Sequence, residues 1–303
     1  MHESMHGNEH VSASASPFNQ PKNPAMSATL EHQPYAFSTD VIGWLQDAWE
    51  LGRKSFVAQF ILMMSLGLAA TVTGATVFAG FGGVGFALGF EELPGMVAIG
   101  VGATAFYVIV LVGYLLAWAG SFLALENAAR DDGVTVSELF RTTIAIAPRL
   151  VRMSGLVFVL SLAAVTVVML FSAGVGFIMG EASVLVQVPL LLIVCIAYWV
   201  GWNVFSIAFT TLVVEETGAW EALRLAAART RPILPRILGG SFVMGLVVGG
   251  VSMFVMVPAF IFAMLIPIIG SLVQMVVQMA FLPFVNAWVF VVYGNTRDLA
   301  EGV

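Results

Sequence analysis

The sequence predicts an all-α membrane protein of six transmembrane helices, arranged as three hairpins that are each preceded by a cytoplasmic amphipathic interfacial helix. Two observations support this prediction. Only 10% of the 303 residues are charged, whereas a soluble domain has about 25%. The charges are also segregated, because five long segments contain no Asp, Glu, Lys or Arg: Ser55–Phe90, Leu93–Leu125, Met153–Gly180, Ala182–Val214 and Ile237–Thr296.

The uncharged segments define the individual spans. A transmembrane helix needs about 20 apolar residues, so four segments hold one span each. The fifth is long enough for two, with a turn-forming sequence at Pro267–Gly270 between them. These spans belong to a transmembrane domain over 39–303, which follows a polar tail over 1–38 with the composition of a disordered segment. The predicted spans are 56–79, 96–121, 154–179, 184–213, 238–264 and 271–293.

A similar amphipathic segment precedes each hairpin. The second begins with a capping box from Thr135 to Glu138. Three leucines correspond between the segments, and so do the residues nine positions later: Leu45, Leu139 and Leu223, then Lys54, Pro148 and Pro232. Loops before spans are often amphipathic and basic, but that alternative does not explain the shared spacing. We therefore predict a threefold internal repeat, whose amphipathic helices lie in the membrane interface and whose prolines let the chain turn into the membrane.

Basic residues lie on one side of the predicted spans. The connections on the other side contain only acidic residues, Glu91, Glu92 and Glu181. Positively charged connections stay in the cytoplasm, so we predict a protein of the plasma or inner membrane with both termini and the loops at 126–152 and 215–236 in the cytoplasm. The basic residues are Lys22, Arg53, Lys54, Arg130, Arg141, Arg149, Arg152, Arg224, Arg229, Arg231, Arg236 and Arg297.

The sequence GFGGVG at Gly80–Gly85 matches the G-x-G-x-x-G pattern of dinucleotide-binding folds. That site needs a strand before the glycines and a helix after them. Here an apolar helix precedes the glycines, and they lie at its outer end. We therefore predict no dinucleotide site, and instead a flexible outer turn that frays the end of the first span.

The spans offer no group for catalysis or metal binding. They contain no Asp, Glu, His, Lys or Arg, and membrane enzymes and proton-coupled carriers usually place carboxylates there. We predict no catalytic residue, no cofactor and no metal. Copper uptake is the alternative, because thioethers and imidazoles suit copper and the chain has Met275, Met279, His2, His6 and His10. It is disfavoured, since the tail with its histidines is predicted to lie inside.

Two series of uncharged residues in the spans could bring helices together. The first has amides, which either form a polar cleft for a headgroup or solute or, as we favour, make ordinary hydrogen bonds between helices. The second is a row of small residues, which permits close helix approach and which we expect to pack within the chain. The amide residues are Gln274, Gln278 and Asn286, and the small residues are Ser241, Gly245 and Gly249.

Two segments resemble one prokaryotic superfamily of six-span membrane proteins. The first is the C-terminal run PFVNAWVFVVYGNTRDLAEG, and the second is VVEETGAWEALRLAAARTRP before the fifth span. The superfamily groups the membrane domain of glycerophosphoryl diester phosphodiesterase with related uncharacterised families. The resemblance implies a six-helix architecture and no catalytic residue, because the phosphodiesterase chemistry belongs to a separate soluble domain. The matching positions are Pro283, Tyr293, Arg297, Glu301 and Gly302.

These observations predict a non-catalytic membrane protein that acts as a lipid-associated scaffold or as an accessory factor of a separate enzyme or membrane protein. Its partners would be membrane lipids, in particular anionic ones, and no nucleic acid. The alternative function is a transporter or flippase for a small or lipidic solute, with a polar cleft between the repeats. The arginines expected to contact lipid headgroups are Arg149, Arg152, Arg229, Arg231 and Arg236.

Overall fold

A computed structural model describes residues 35, 37–180, 184–265 and 267–301, and of the stretch 261–278 only the backbone. Every regular element in these ranges is a helix. Six helical stretches are long and apolar enough to cross a membrane, and each overlaps one predicted span, so the chain is a multi-pass membrane protein. In order, the helices are α1 (Val41–Ala87), α2 (Leu93–Arg130), α3 (Val136–Ala145), α4 (Ala147–Met179), α5 (Val184–Val214), α6 (Ala219–Thr230), α7 (Leu234–Leu265) and α8 (Pro267–Glu301).

Two of the three predicted amphipathic segments form separate helices. Thr135 caps α3 as expected, since its Oγ1 accepts a hydrogen bond from the Glu138 N–H at 3.3 Å. Both helices end next to a proline: α4 begins at Ala147 beside Pro148, and a 3₁₀ turn with Pro232 joins α6 to α7. The prolines mark breaks because proline lacks the N–H that a helix interior needs.

The first amphipathic segment is not separate. Lys54 stands where the other two segments have proline, and α1 runs unbroken from Val41 to Ala87. Lysine donates its backbone N–H and favours helix, so the amphipathic segment and the first span become one helix of 47 residues. Before α1, Tyr35 and Phe37 also pack against the core.

The expected outer turn at Gly80–Gly85 is wrong. These residues are helical, and α1 continues to Ala87 before the chain turns through Gly89, which has a φ of +90°. Gly85 has a packing role, since an added Cβ would lie 2.7 Å from Cγ1 of Ile99 on α2. Helix contact with α2 therefore explains the last glycine of the motif, and the reversal of the chain comes after it.

Helices α1 and α2 pack closely along much of their length, and glycines make this possible. A Cβ at Gly113 would collide with the Ala70 Cβ, and a Cβ at Gly102 would lie 2.6 Å from the Phe81 Cβ. Small residues of this kind let two helix backbones approach within a membrane.

Two further expectations for the last hairpin need correction. Ser241 donates a hydrogen bond to the Asn203 Oδ1 on α5 at 2.5 Å, but Gly245 and Gly249 have nothing within 4 Å of an added Cβ, so these two glycines make no close helix contact within the described part of the chain. The close contact on α7 is at Gly240 instead, where a Cβ would lie 2.6 Å from the Trp288 ring. Pro267–Gly270 does not form a loop between two spans. These residues are helical and begin α8, and proline is favourable at the first position of a helix.

The core lies at one end of the bundle, called here the basic end: the end with the N-terminus of α1 and the C-termini of α2, α5 and α8. Its largest fully buried side chains come from all of these helices and from α4 and α7, namely Trp44, Tyr293, Phe122, Phe209, Phe290, Leu125, Leu150, Met153, Ile207, Leu212 and Ile237. Farther from this end, α4, α5 and α7 expose large apolar side chains, including Val165, Leu170, Leu191, Ile193, Leu246 and Phe254. In a membrane, lipid tails cover such side chains.

Candidate functional site at the basic end

Tyr293 and Arg297 of the family-like C-terminal run are both buried in the core of the basic end. The Tyr293 hydroxyl donates a hydrogen bond to Oε1 of Glu215 at 2.9 Å. The same carboxylate accepts two hydrogen bonds from Arg229, at 2.5 and 3.3 Å. Charge-assisted pairs of this kind are strong, so Glu215 ties α8 to α6 through one carboxylate.

Tyr35 covers a second cluster of charges. Its ring lies 5.4 Å from the Arg130 guanidinium carbon and 5.8 Å from that of Arg297, within the range of cation–π attraction. The Arg130 Nη2 donates to the Tyr35 hydroxyl at 3.4 Å, and the Arg130 Nε lies 3.2 Å from Oε1 of Glu126. The cluster therefore joins the N-terminal segment to the ends of α2 and α8.

Burial stabilises the neutral form of the Tyr35 phenol. Removal from water raises the pKa of Tyr35 to about 12, and the nearby Glu126 carboxylate adds to this effect, while Arg130 and Arg297 oppose it. Burial acts in this direction because it disfavours the charged phenolate. The phenol is neutral at physiological pH, so Tyr35 meets the two guanidinium groups as an uncharged ring.

The N-terminal segment is held by backbone contacts as well. The Ser38 N–H donates to Oδ2 of Asp47 at 2.7 Å, and the Trp44 indole N–H donates to the Ser38 carbonyl at 2.7 Å. Phe37 packs over Gly294, where an added Cβ would come within 2.7 Å of its ring. Phe37 thus lies against α8 at a position where only glycine fits.

The five arginines expected at lipid headgroups differ in their surroundings. Arg229 is largely buried and paired with Glu215. Arg149 pairs with Glu216, at 3.0 Å from its Oε2 and 3.1 Å from its carbonyl oxygen. Arg152, Arg231 and Arg236 are exposed and form no ion pair within the described ranges. Three of the five are therefore open to an external anion.

Asn286, expected in either a polar cleft or a helix contact, is buried in a chain of hydrogen bonds. The Trp118 indole N–H donates to the Asn286 Oδ1 at 2.9 Å, and the Asn286 Nδ2 donates to the Gln59 Oε1 at 3.5 Å. The Gln59 Nε2 donates to the Ser55 Oγ at 2.7 Å, and that hydroxyl donates to the Leu51 carbonyl at 2.7 Å. This series of hydrogen bonds links α1, α2 and α8. The side chains of Gln274 and Gln278 lie outside the described residues.

The sequence interpretation missed Tyr35, Glu126 and Glu215. Glu126 and Arg130 have the spacing of a helical ion pair, which was a usable signal. Tyr35 and Phe37 stand out as aromatic residues in an otherwise polar tail, although nothing in the sequence indicates which helix they contact. Pro283 lies inside α8 as the resemblance implies, and Gly302 lies outside the described residues.

Two shallow surface depressions lie away from these clusters. One follows α2 along Val97, Val101, Thr104 and Val108, and the other follows α1 along Ile42, Leu45 and Trp49. Each is lined by a single helix, so neither encloses a solute. Comparisons of the chain with family models, with curated proteins and with solved structures find no match.

Proposed function

We propose that the protein is a non-catalytic scaffold or accessory factor of the plasma or inner membrane, with its basic end in the cytoplasm and in contact with anionic lipid headgroups. The observation that carries the proposal is the division of the arginines. Some are buried and paired with acids, and these hold helices together. Arg152, Arg231 and Arg236 are exposed at the membrane entries of α4 and α7 and have no acidic partner within the described ranges.

The energetics of this surface favour anionic lipid. Each Lys or Arg near a negatively charged leaflet contributes about 1 kcal/mol of attraction. Trp49 and Trp220 are 60% and 67% exposed at the same end of the bundle, and tryptophan is enriched at the level of the headgroups. Charged and amphipathic side chains are therefore combined as they are in membrane interfaces.

The proposal includes the finer architecture. The three hairpins would each follow an interfacial helix, formed by the first turns of α1, by α3 and by α6. Ile144 on α3 and Trp220 on α6 expose apolar surface, which such helices bury at the headgroup boundary. The resemblance to the six-span superfamily supports this arrangement and an accessory role beside a separate enzyme.

The buried hydrogen bonds of Asn286 favour the scaffold over the transporter. A residue that lines a solute pathway needs contact with the solute, whereas Asn286 is 2% exposed and bonded to Trp118 and Gln59. Each interhelical hydrogen bond of this kind contributes about 0.6 kcal/mol to the stability of a membrane helix bundle, which suits a structural role.

The test counts lipids bound to the purified full chain by native mass spectrometry. With equal amounts of phosphatidylglycerol and phosphatidylcholine, we expect the protein to retain phosphatidylglycerol preferentially and to lose that preference as salt increases. The triple variant Arg152→Gln, Arg231→Gln, Arg236→Gln should retain several-fold less phosphatidylglycerol, because the electrostatic attraction of three arginines to the anionic headgroups is removed.

The matched control replaces the same three arginines by lysine, which keeps the charge and should keep most of the preference. Equal retention of both lipids by the natural chain, or by the glutamine variant and the natural chain alike, would contradict the proposal.

A further inference from the structure

The residues just before α1 lie on the core of the basic end without being part of a helix. Tyr35, Phe37 and Ser38 are not helical and precede the N-cap of α1, and we call these three residues the clamp. Helix α1 has a cap of its own, since the Gly43 N–H donates to Oδ1 of Asp40 at 2.5 Å. The clamp can therefore leave the core without breaking a backbone hydrogen bond of α1.

Aromatic rings and two hydrogen bonds hold the clamp in place. The Tyr35 ring stacks on Phe37 with centroids 5.5 Å apart and meets Phe290 edge-on at 5.3 Å. Ser38 is fastened to α1 through its N–H and its carbonyl, by two hydrogen bonds of 2.7 Å each. The three atoms nearest to an added Cβ at Gly294 all belong to the rings of Phe37 and Tyr35. A larger side chain at Gly294 would therefore meet the clamp first.

The clamp covers two arginines of the basic end. The Tyr35 ring centroid lies 5.4 Å from the guanidinium carbon of Arg130 and 5.8 Å from that of Arg297. Arg297 is 6% exposed, and the Arg130 side chain is 21% exposed. One uncharged ring thus lies against two largely buried cations.

A phosphate group binds guanidinium more strongly than a ring does. The ring attracts the cation only through its quadrupole, whereas phosphate accepts charge-assisted hydrogen bonds, often two from one guanidinium. Arg130 presents its Nη2 to the Tyr35 hydroxyl and its Nε to Glu126. A phosphate oxygen in the place of that hydroxyl would therefore bind Arg130 without displacing Glu126.

The depth of this site matches the headgroups of a bilayer. Arg297 follows the end of the predicted span 271–293 by four residues. At the rise of a helix, this places it about 6 Å beyond the span, within the layer that lipid headgroups occupy. The phosphate that lies nearest to the two arginines is then that of a lipid.

We propose that Arg130 and Arg297 form a second site for the phosphate of an anionic lipid, and that the clamp competes with the lipid for this site. While the clamp is docked, Tyr35 fills the place of the phosphate. When the clamp is released, the headgroup takes the place of the ring. The inference rests on the proposed contact of the basic end with anionic lipid and adds its regulation, because the position of the clamp sets how much lipid the protein holds.

The test removes the two rings of the clamp from the full chain by the double variant Tyr35→Ala, Phe37→Ala. The purified protein is equilibrated with equal amounts of phosphatidylglycerol and phosphatidylcholine, and native mass spectrometry counts the bound lipids. We expect the variant to retain several-fold more phosphatidylglycerol than the natural chain and the same amount of phosphatidylcholine, because covering a site lowers its apparent affinity by the fraction of molecules in which it is open. Addition of Arg130→Gln should remove the gain.

Gly294→Leu releases the clamp by an independent route. Its side chain would push the rings of Phe37 and Tyr35 away, so the Ser38 amide should exchange its hydrogen faster and phosphatidylglycerol retention should increase as in the double variant. Gly239→Leu is the matched control, since an added Cβ there has nothing within 4 Å, and it should retain the natural amount. Both clamp variants should keep the natural helix content by circular dichroism, because the clamp is not helical.

The outcomes separate this inference from the proposed function. A double variant that retains no more phosphatidylglycerol than the natural chain, or that keeps its gain after Arg130→Gln, would overturn the inference alone. The proposed function is contradicted instead by a natural chain without preference for phosphatidylglycerol. Equilibration with inorganic phosphate, matched in ionic strength by chloride, identifies the source of the phosphate. The gain should persist there, and its loss would overturn the assignment to lipid in favour of free phosphate.

Discussion

Tyr293 and Tyr198 have the same side chain in opposite surroundings. The Tyr293 hydroxyl is fully buried and donates to Glu215, which also binds Arg229. The Tyr198 hydroxyl is exposed on a membrane helix. Composition and spacing do not distinguish the two, because the Tyr293 contact joins residues 78 positions apart. The family resemblance singled out Tyr293 and Arg297, but their partners Glu215 and Tyr35 become apparent only when the helices are in place.

We predict that Tyr293→Phe lowers the free energy of unfolding by about 1.5–3 kcal/mol, because it removes a buried hydrogen bond to a charged group. Tyr198→Phe should change it by less than about 0.5 kcal/mol. Unfolding of both variants with sodium dodecyl sulfate in mixed micelles measures the difference. Equal costs would mean that the bond to Glu215 does not stabilise the fold.

At the scale of the helix, small residues alone do not indicate which face packs. The sequence pattern favoured Gly245 and Gly249 of α7, yet the close helix contact is made by Gly102 and Gly113 of α2. The spacing of small residues permits close approach on any helix, and the neighbour is decided by the rest of the bundle. The prolines of the repeat were a better signal, since Pro148 lies at the start of α4 and Pro232 lies in the break before α7, and Lys54 at the equivalent site leaves α1 continuous.

We predict that Gly113→Leu lowers the stability by about 1–3 kcal/mol, the usual cost of overpacking, because its side chain meets Ala70 on α1. Gly245→Leu is the matched control: it should be neutral or slightly stabilising, since leucine favours helix more than glycine does and the site is open. Thermal unfolding in detergent checks both. A large loss at Gly245 would show that α7 packs there against another molecule.

At the scale of the whole molecule, the sequence predicted the number of helices long and apolar enough to cross a membrane, and their approximate positions, because uncharged runs of sufficient length have few alternatives to crossing a membrane. It did not predict where the bundle is packed. The core lies at the basic end, and this depends on which helix faces meet. The clusters around Tyr35 and Glu215 join segments that are far apart in the sequence, so they too depend on the assembled bundle.

We predict that the basic end faces the cytoplasm. In a background with Cys195 replaced by Ala, a cysteine at Ser137 or Gly218 should resist a membrane-impermeant thiol reagent in intact cells, and one at Glu91 should react. All three sites are exposed in the structure, so permeabilised cells should label at each of them and serve as the control. Labelling of the first two but not the third in intact cells would reverse the orientation.

The uneven packing of the bundle has a mechanical consequence. Because the described side chains of α4 and α5 pack mainly near the basic end, the halves of these two helices farther from it, called here the free halves, can change tilt without separating packed side chains. A helix that is longer than the local hydrocarbon thickness adapts by tilting, at a fraction of a kcal/mol per Å of mismatch. The closely packed pair α1 and α2 resists such adjustment, since its glycine contacts fix the two backbones together. A thinner or thicker bilayer would therefore change the tilt of the free halves of α4 and α5, while the packed basic end keeps its shape.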